Sequence, residues 1–221
     1  MAKKSVLTFC YYIASVPFFL VSIILVTFNF WDIKKDLVLC LQTIEKQKNN
    51  NLSDNLLNIL VIAEDHRNFF HKGVDHFALL RALSVRLIFG KVQGASTIEQ
   101  QFVRVVTCRY ERTLSRKLRE QILATTVLTR STKFDIAVSY LSIAFYGSGI
   151  YGITGLKKIC DEPLSEVSIN QAVKVVARLK YPEPSNQTQE WKDKIFFRNQ
   201  HIHQLLNNAA IPGRPGNPAM V

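Results

Sequence analysis

The feature that most constrains this chain is an uninterrupted apolar run near its N-terminus. From Val6 to Trp31 the sequence contains no Asp, Glu, Lys or Arg. A transmembrane helix needs about 20 consecutive apolar residues, so this run is long enough to cross a bilayer. Tyr11, Tyr12 and Trp31 near its two ends are residue types typical of the interfacial zones. The run therefore predicts a membrane helix.

A cleaved signal peptide is the alternative interpretation of this run. The apolar segment of a signal peptide is about 7–15 residues long and is followed by small residues at a cleavage site. This run is longer and has no clear site of that kind after it, which favours a retained single-pass anchor. Lys3 and Lys4 precede the run and favour a cytoplasmic N-terminus. We therefore expect the remaining chain outside the cytoplasmic membrane, in the periplasm if the cell is Gram-negative.

The rest of the chain has the periodicity of helices and no convincing strand pattern, which predicts a mainly α protein. Four segments are expected: 1–31 as cytoplasmic tip and anchor, 32–54 as a helical stalk, 55–206 as one helical domain, and 207–221 as a disordered tail. Ser53 or Asp54 is expected to cap one helix and Ser96 or Thr97 another. Residues 75–89 predict an amphipathic helix with an inward apolar face made of Phe77, Leu80, Leu83, Leu87 and Ile88.

Net charge and cysteine content narrow the choice of partners. The formal net charge is +11, yet no nucleic-acid-binding signature accompanies the basic residues. A membrane-anchored chain makes anionic lipids or phosphates the expected partners, and nucleic acid is not expected. The four cysteines lack the spacing of zinc ligands, so they are expected to be small buried hydrophobic residues.

Three stretches carry residues suited to chemistry. In the first, Glu64 and Asp65 end an apolar helix, and a carboxylate in that setting can serve as a general base. In the second, from Gly94 to Arg104, small residues accompany neutral hydrogen-bonding groups that suit sugar hydroxyls or phosphate oxygens. Those groups are Ser96, Thr97, Gln100 and Gln101.

The third stretch runs from Glu111 to Glu120 and is strongly basic. Arg112, Arg116 and Arg119 are spaced to line one stripe of a helix. Glu120 follows Arg116 and Lys117 by four and three residues, so its carboxylate is expected to stay ionised. Clustered guanidinium groups also match the geometry of phosphate recognition.

Taken in order, these stretches resemble the peptidoglycan glycosyltransferases of family 51, which include monofunctional enzymes and the N-terminal modules of class A penicillin-binding proteins. The resemblance covers about residues 55–205. The first motif, ED-x-x-F-x-x-H-x-G, is matched by Glu64, Asp65, His71 and Gly73. The second, GGST-x-x-QQ, is matched by Gly94, Ser96, Thr97, Gln100 and Gln101. The third, RK-x-x-E, is matched by Arg116, Lys117 and Glu120, and a fourth by Lys133, Tyr140, Leu141 and Gly147.

Five positions depart from the family pattern. Asn68 replaces an aromatic residue, Ala95 a glycine, Glu99 a neutral residue, Arg104 a lysine, and Ser142 an asparagine. The main acids and cations are kept. The departures bear on rate and substrate detail more than on reaction type.

The resemblance implies a lysozyme-like, two-lobed helical domain that polymerises lipid II onto a lipid-linked glycan chain. Glu64 would be the general base. The cations expected at the pyrophosphate leaving group are Arg104, Arg112, Lys117 and Arg119, with Arg116 beside them. Glu120, expected to be catalytic together with Glu64, would orient these cations or help to hold a divalent ion, Mg²⁺ or Mn²⁺.

The same resemblance implies roles for the other motif residues and for partners. Thr97 and Gln101 would contact the donor, whereas Asp65 and His71 would shape the first motif. No transpeptidase signature follows the helical domain, so cross-linking of the glycan is expected to need a separate transpeptidase.

Two other functions compete with this interpretation. A lysozyme-like hydrolase or lytic transglycosylase also uses a glutamate, but its leaving group is a sugar and needs no cationic stripe. A catalytically impaired, membrane-anchored protein that binds lipid II or acts as a scaffold of cell-wall synthesis is the main alternative, and the substitutions at Asn68, Ala95 and Ser142 are its support.

Overall fold

The computed structural model describes residues 2–209, and these are mostly helical. The ten α-helices in this range are α1 (Ala2–Thr27), α2 (Ile33–Gln47), α3 (Asp54–Glu64), α4 (His76–Phe89), α5 (Ile98–Thr107), α6 (Leu114–Leu128), α7 (Lys133–Ile143), α8 (Gly152–Ile159), α9 (Ile169–Lys180) and α10 (Gln189–Ala209). A 3-10 helix occupies Phe30–Asp32. The predicted mainly α class is confirmed.

A short hairpin interrupts the helices. Strand β1 (Phe145–Gly147) pairs antiparallel with β2 (Ile150–Tyr151), in a glycine-rich segment where the sequence pattern indicated only a turn. At the other end, residues 207–209 belong to α10. The remainder of the tail predicted to be disordered, from residue 210 onward, lies outside the described residues.

The chain divides into two compact units. Unit 1 consists of Met1–Lys46 and Arg67–Ile136, and unit 2 consists of Gln47–His66 and Ala137–Val221. The second and third sequence motifs therefore lie in unit 1. Glu64 and Asp65 of the first motif lie in unit 2, whereas His71 and Gly73 of the same motif lie in unit 1.

Helix α1 contains the segment Thr8–Thr27, which is long and apolar enough to cross a membrane. Tyr11 differs from most of its large apolar neighbours because it is only 1% exposed. Its ring packs against Phe70 and Phe77, and its hydroxyl donates a hydrogen bond to Asp75 at 2.9 Å. Tyr11, expected at a membrane interface, thus joins α1 to the core of unit 1.

Helix starts follow the predicted capping chemistry. The Ser53 hydroxyl accepts a hydrogen bond from the Leu56 amide and begins α3. Thr97 does the same for the Gln100 amide and begins α5. Each side chain satisfies an amide that has no partner within its helix. The predicted caps at residues 53 and 97 are confirmed.

Two predictions of burial are wrong. Helix α4 forms as predicted, but only Ala78 is buried on it, because other elements cover little of its apolar side within the described residues, where Phe77 meets Tyr11 of α1. The five side chains expected in the core are exposed: Phe77, Leu80, Leu83, Leu87 and Ile88. Cys40 and Cys160 are buried as expected, whereas Cys10 and Cys108 are exposed.

In unit 2 the core positions the end of α3. Helix α3 packs against α9 and α10, and the side chains of Leu56, Leu60, Val176 and Ile202 at this contact are fully buried. Burial of each such side chain contributes roughly 1.5–3 kcal/mol. The last residue of α3, Glu64, is therefore carried by a rigid helix.

Candidate functional site

The glycine of the first motif accepts hydrogen bonds from the second motif within unit 1. The Thr97 hydroxyl donates to the Gly73 carbonyl at 2.8 Å, and the Gln100 amide group donates to it at 3.4 Å. Gly73 has a φ of +89°, and a Cβ there would lie 2.9 Å from the backbone of Ala124 on α6. Only glycine suits this position. The contact fixes the start of α5 against α6.

Glu120 on α6 is 3% exposed and is surrounded by three cations. The Arg104 guanidinium, on α5, donates to both carboxylate oxygens, at 2.9 and 3.0 Å. The Lys117 ammonium donates to Oε1 at 2.6 Å, and Arg116 donates to Oε2. Such charge-assisted bonds are the strong class of hydrogen bond, and the forked Arg104 pair also fixes orientation.

The same cations reach the neutral residues of the second motif. The Lys117 ammonium donates to the Ser96 hydroxyl at 3.0 Å and to the side-chain amide oxygen (Oε1) of Gln100 at 2.6 Å. Arg104 also donates to Ser96, at 3.2 Å. We call this group the Glu120 cluster. Its members are Ser96, Gln100, Arg104, Arg116, Lys117 and Glu120.

The ionisation of Glu120 and that of Lys117 depend on each other and on their cationic neighbours. Burial by itself would raise the pKa of Glu120, but the hydrogen bond from Arg104 and the charge of Lys117 outweigh it and lower the pKa below its usual value. Burial lowers the pKa of Lys117, and the neighbouring Glu120 charge opposes that shift. Glu120 is therefore an anion at neutral pH, as predicted, and three positive charges around one negative charge leave the cluster cationic.

The donor arrangement around Glu120 also bears on metal binding. A divalent ion such as Mg²⁺ needs free carboxylate oxygens as ligands. Both oxygens of Glu120 instead accept hydrogen bonds from Arg104, and Lys117 and Arg116 each add another. This arrangement does not fit a metal ion bound to Glu120.

The predicted arginine stripe separates into three environments. Arg116 faces Glu120, whereas Arg119 donates to Asp36 on α2 at 2.9 Å. Arg112 has an exposed side chain. Gln101, on α5, is half-buried. Of the predicted cations, Arg104, Arg116 and Lys117 are brought together.

A buried ion pair accommodates one of the departures from the family pattern. Glu99 is 1% exposed, and the Lys133 ammonium lies 2.6 Å from its carboxylate. The same ammonium lies 3.5 Å from Nδ1 of His71, which is also 1% exposed. The acid at position 99 is therefore paired with a cation, and both Glu99 and His71 are buried.

In unit 2, Glu64 ends α3 with a side chain that is 15% exposed. Arg198 on α10 donates to the Glu64 carboxylate at 2.6 Å and to the Ala63 carbonyl at 3.1 Å. Asp65 is 6% exposed and caps the C-terminus of α3. Sequence reasoning missed Arg198. Its only signal was a lone arginine within the apolar segment IFFRNQHI of the last helix.

The fourth motif is also in unit 2 from residue 137 onward. Tyr140 and Leu141 are buried. Ser142, which replaces an asparagine, accepts a hydrogen bond from the Asn50 side chain at 2.9 Å. A Cβ at Gly147 would lie 2.5 Å from the Glu183 carbonyl, so this glycine is needed where the hairpin meets residue 183. Ser142 therefore makes a side-chain hydrogen bond at this position.

Comparison with known proteins gives a consistent result. The profile of the transglycosylase family matches residues 41–206. Penicillin-binding protein 1A of Aquifex aeolicus is 30% identical over 164 residues, 73% of this chain. The protein of the same name from Rickettsia conorii is 31% identical over 77% of this chain, and that from Escherichia coli is 30% identical over 71%. The chain spans 19–23% of the length of these three relatives.

Proposed function

Because the chain belongs to the transglycosylase family, we propose that it is a peptidoglycan glycosyltransferase that polymerises lipid II into glycan strands. The observation that carries the proposal is the Glu120 cluster, a preorganised set of cations joined to hydroxyl and amide groups. The donor is the lipid-linked glycan chain and the acceptor is lipid II. The sequence resemblance to family 51 agrees with this assignment.

The Glu120 cluster acts on the leaving group. When the bond between the donor's anomeric carbon and the lipid pyrophosphate breaks, the pyrophosphate departs with the electron pair and gains negative charge. Arg104, Arg116 and Lys117 stabilise that charge, and they need no reorganisation because Glu120 already holds them in place. Glu120 itself stays anionic and acts as the holder of the cations.

Glu64 acts on the acceptor. Its carboxylate takes the proton from the acceptor's sugar 4-hydroxyl as that oxygen forms the new bond to the anomeric carbon. Arg198 is a positioning residue, since its guanidinium fixes one oxygen of Glu64 at 2.6 Å.

The remaining motif residues shape the substrate site. Thr97 uses its hydroxyl to hold Gly73 and to cap α5, so it orders the loop, and Gln101 contacts the donor. Asp65 and His71 are buried and support the first motif. Arg112 and Arg119 contribute at longer range through their charge.

A membrane setting explains why an anchor and a catalytic domain belong together. Helix α1 crosses the cytoplasmic membrane with its N-terminus inside and the catalytic domain outside, an arrangement that requires Tyr11 to leave its contact with Asp75. Both substrates carry lipid tails, so holding the enzyme at the same surface raises their effective concentration. The exposed apolar side chains of α4 dip into the head-group layer. Replacing Leu83 and Leu87 with Ser should then weaken membrane retention of a chain that lacks α1.

One assay tests the proposal. Purified full-length protein is incubated with labelled lipid II and either Mg²⁺, Mn²⁺ or a chelator, and the product is resolved by gel electrophoresis. Glycan polymer is expected, and its loss with the chelator would establish the divalent-ion requirement. Binding of lipid II without polymer under every condition would instead favour the lipid II-binding scaffold. Cross-linking of the strands would be the work of a partner transpeptidase.

A further inference from the structure

We propose that unit 1 contains a second anion site, which binds the phosphate of an anionic phospholipid head group. The site is a cavity of about 180 Å³ beside the 3-10 helix that follows α1. Six of its lining residues carry the argument: Trp31, Arg109, Glu111, Thr113, Ser115 and Arg119. At about 30 Å³ per water, the cavity has room for a phosphate group. The proposal goes beyond the glycosyl transfer proposed above.

Two arginines in this cavity are held side by side by one carboxylate. Asp36, on α2, lies 2.9 Å from Nε of Arg119 and 3.4 Å from Nε of Arg109. Nη2 of Arg119 is buried and lies 2.7 Å from Asp36, but not in hydrogen-bonding geometry. Two guanidinium groups facing one carboxylate leave a positive charge. Because Asp36 fixes both groups, an anion would meet a preorganised pair.

Neutral donors complete the recognition of a phosphate. Thr113 and Ser115 lie at the start of α6 with exposed side chains, and their hydroxyls are 3.3 Å apart. Both line the cavity with the two arginines. Hydroxyl groups and guanidinium groups are the side chains that bind phosphate oxygens. These donors therefore suit a phosphate ester better than an apolar ligand.

The position of the cavity identifies the source of the phosphate. Trp31 lines it and follows the candidate membrane span, Thr8–Thr27, by four positions. Tryptophan is enriched at the membrane–water interface, and basic residues close to a membrane surface attract anionic lipid head groups. Lys34 and Lys35 are exposed in the next turn and add to the local positive charge. These features favour a membrane lipid over a soluble phosphate.

The cavity adjoins the Glu120 cluster: Arg116 borders both, and Arg109 and Arg119 also line a narrow pocket beside Glu120. Arg116 Nε donates to the Glu111 carbonyl at 2.6 Å, on the side of the cavity, while its Nη1 donates to Glu120. Glu111 belongs to the cavity lining, and its negative charge would repel an anion. Removing the charge of Glu111 should therefore strengthen anion binding, whereas removing the charge of an arginine should weaken it.

The test counts lipids bound to the full-length protein in detergent micelles by native mass spectrometry. Phosphatidylglycerol is titrated against phosphatidylcholine. Arg109→Gln should weaken phosphatidylglycerol binding about five-fold, since one basic residue near a membrane surface contributes about 1 kcal/mol. Glu111→Gln should strengthen it by a similar factor. Loss of folding cannot produce that increase.

Controls separate a built site from general charge and from a free phosphate. Arg130, exposed at the end of α6, provides the matched variant Arg130→Gln, which should leave binding unchanged. Equal weakening by Arg109→Gln and Arg130→Gln, or no increase with Glu111→Gln, would overturn the proposal. Competition by soluble glycerol phosphate at the same concentration as phosphatidylglycerol would overturn the assignment to a lipid. The readout does not depend on glycan synthesis.

Discussion

Glu64 in unit 2 and Glu120 in unit 1 are both carboxylates on helices, yet their surroundings differ. Glu120 is 3% exposed, and three cations donate to its two oxygens. Glu64 is 15% exposed at the last residue of its helix, where Arg198 donates to one oxygen. A carboxylate saturated by cations loses its usefulness as a base, because protonating it would break several charge-assisted bonds. The difference supports assigning proton transfer to Glu64.

The two sites also use charge in opposite ways. In the Glu120 cluster the negative charge serves to hold positive charges near each other, which would otherwise repel. At Glu64 the positive charge of Arg198 serves to orient a negative one. Removing a member of each group should therefore impair the protein in a different way.

The largest effect is expected for Glu64→Gln. Glutamine keeps the shape but cannot accept the proton, so the polymerisation rate should fall about a thousand-fold, the middle of the range for general-base catalysis. Polymer yield from labelled lipid II measures it. Glu166→Gln, an exposed acid of unit 2, is the matched control and should retain the full rate. Polymerisation by Glu64→Gln at the normal rate would move the base elsewhere.

The second effect concerns Lys117→Met, which removes the cation that bonds to Ser96, Gln100 and Glu120. Loss of one preorganised donor at a developing charge costs about a hundred-fold or more in kcat. Steady-state kinetics should show the loss in kcat with a smaller change in KM. Lys46→Met, at an exposed position of α2, serves as the control. A change confined to KM would assign Lys117 to ground-state binding.

A smaller effect is expected at Arg198. Arg198→Gln removes the donor that fixes Glu64, so kcat should fall about ten-fold while KM stays near its original value. Arg198→Lys keeps the charge and should recover part of the rate, although it cannot reproduce both bonds, to Glu64 and to the Ala63 carbonyl. Thermal denaturation of both variants separates positioning from folding. Equal rates for the two variants, with equal losses of stability, would leave Arg198 a purely structural role.

The sequence predicted the parts of this molecule that depend on nearby residues. The Thr97 cap, the helix carrying Glu120 and the ionised state of Glu120 follow from spacings of three or four residues. The burial of α4 was predicted wrongly because periodicity identifies an apolar face but not whether another element covers it. The pairing of Arg119 with Asp36, and of Arg198 with Glu64, joins residues far apart in the chain. Local patterns carry no information on such contacts.

The smallest effect is a pH dependence of stability that belongs to Glu120. Its pKa is lowered in the folded protein from the ordinary value of 4.5, so its ionised form contributes stability that is fully present above about pH 4.5. That contribution is lost as the pH falls through the folded pKa. The melting temperature of Glu120→Gln should therefore lie below that of the wild type by a few degrees at pH 7, and the gap should narrow below about pH 4.5. Differential scanning calorimetry measures both. A gap that widened on acidification would mean that the carboxylate is not held as an anion by Arg104 and Lys117, and the contrast between Glu120 and Glu64 would lose its electrostatic basis.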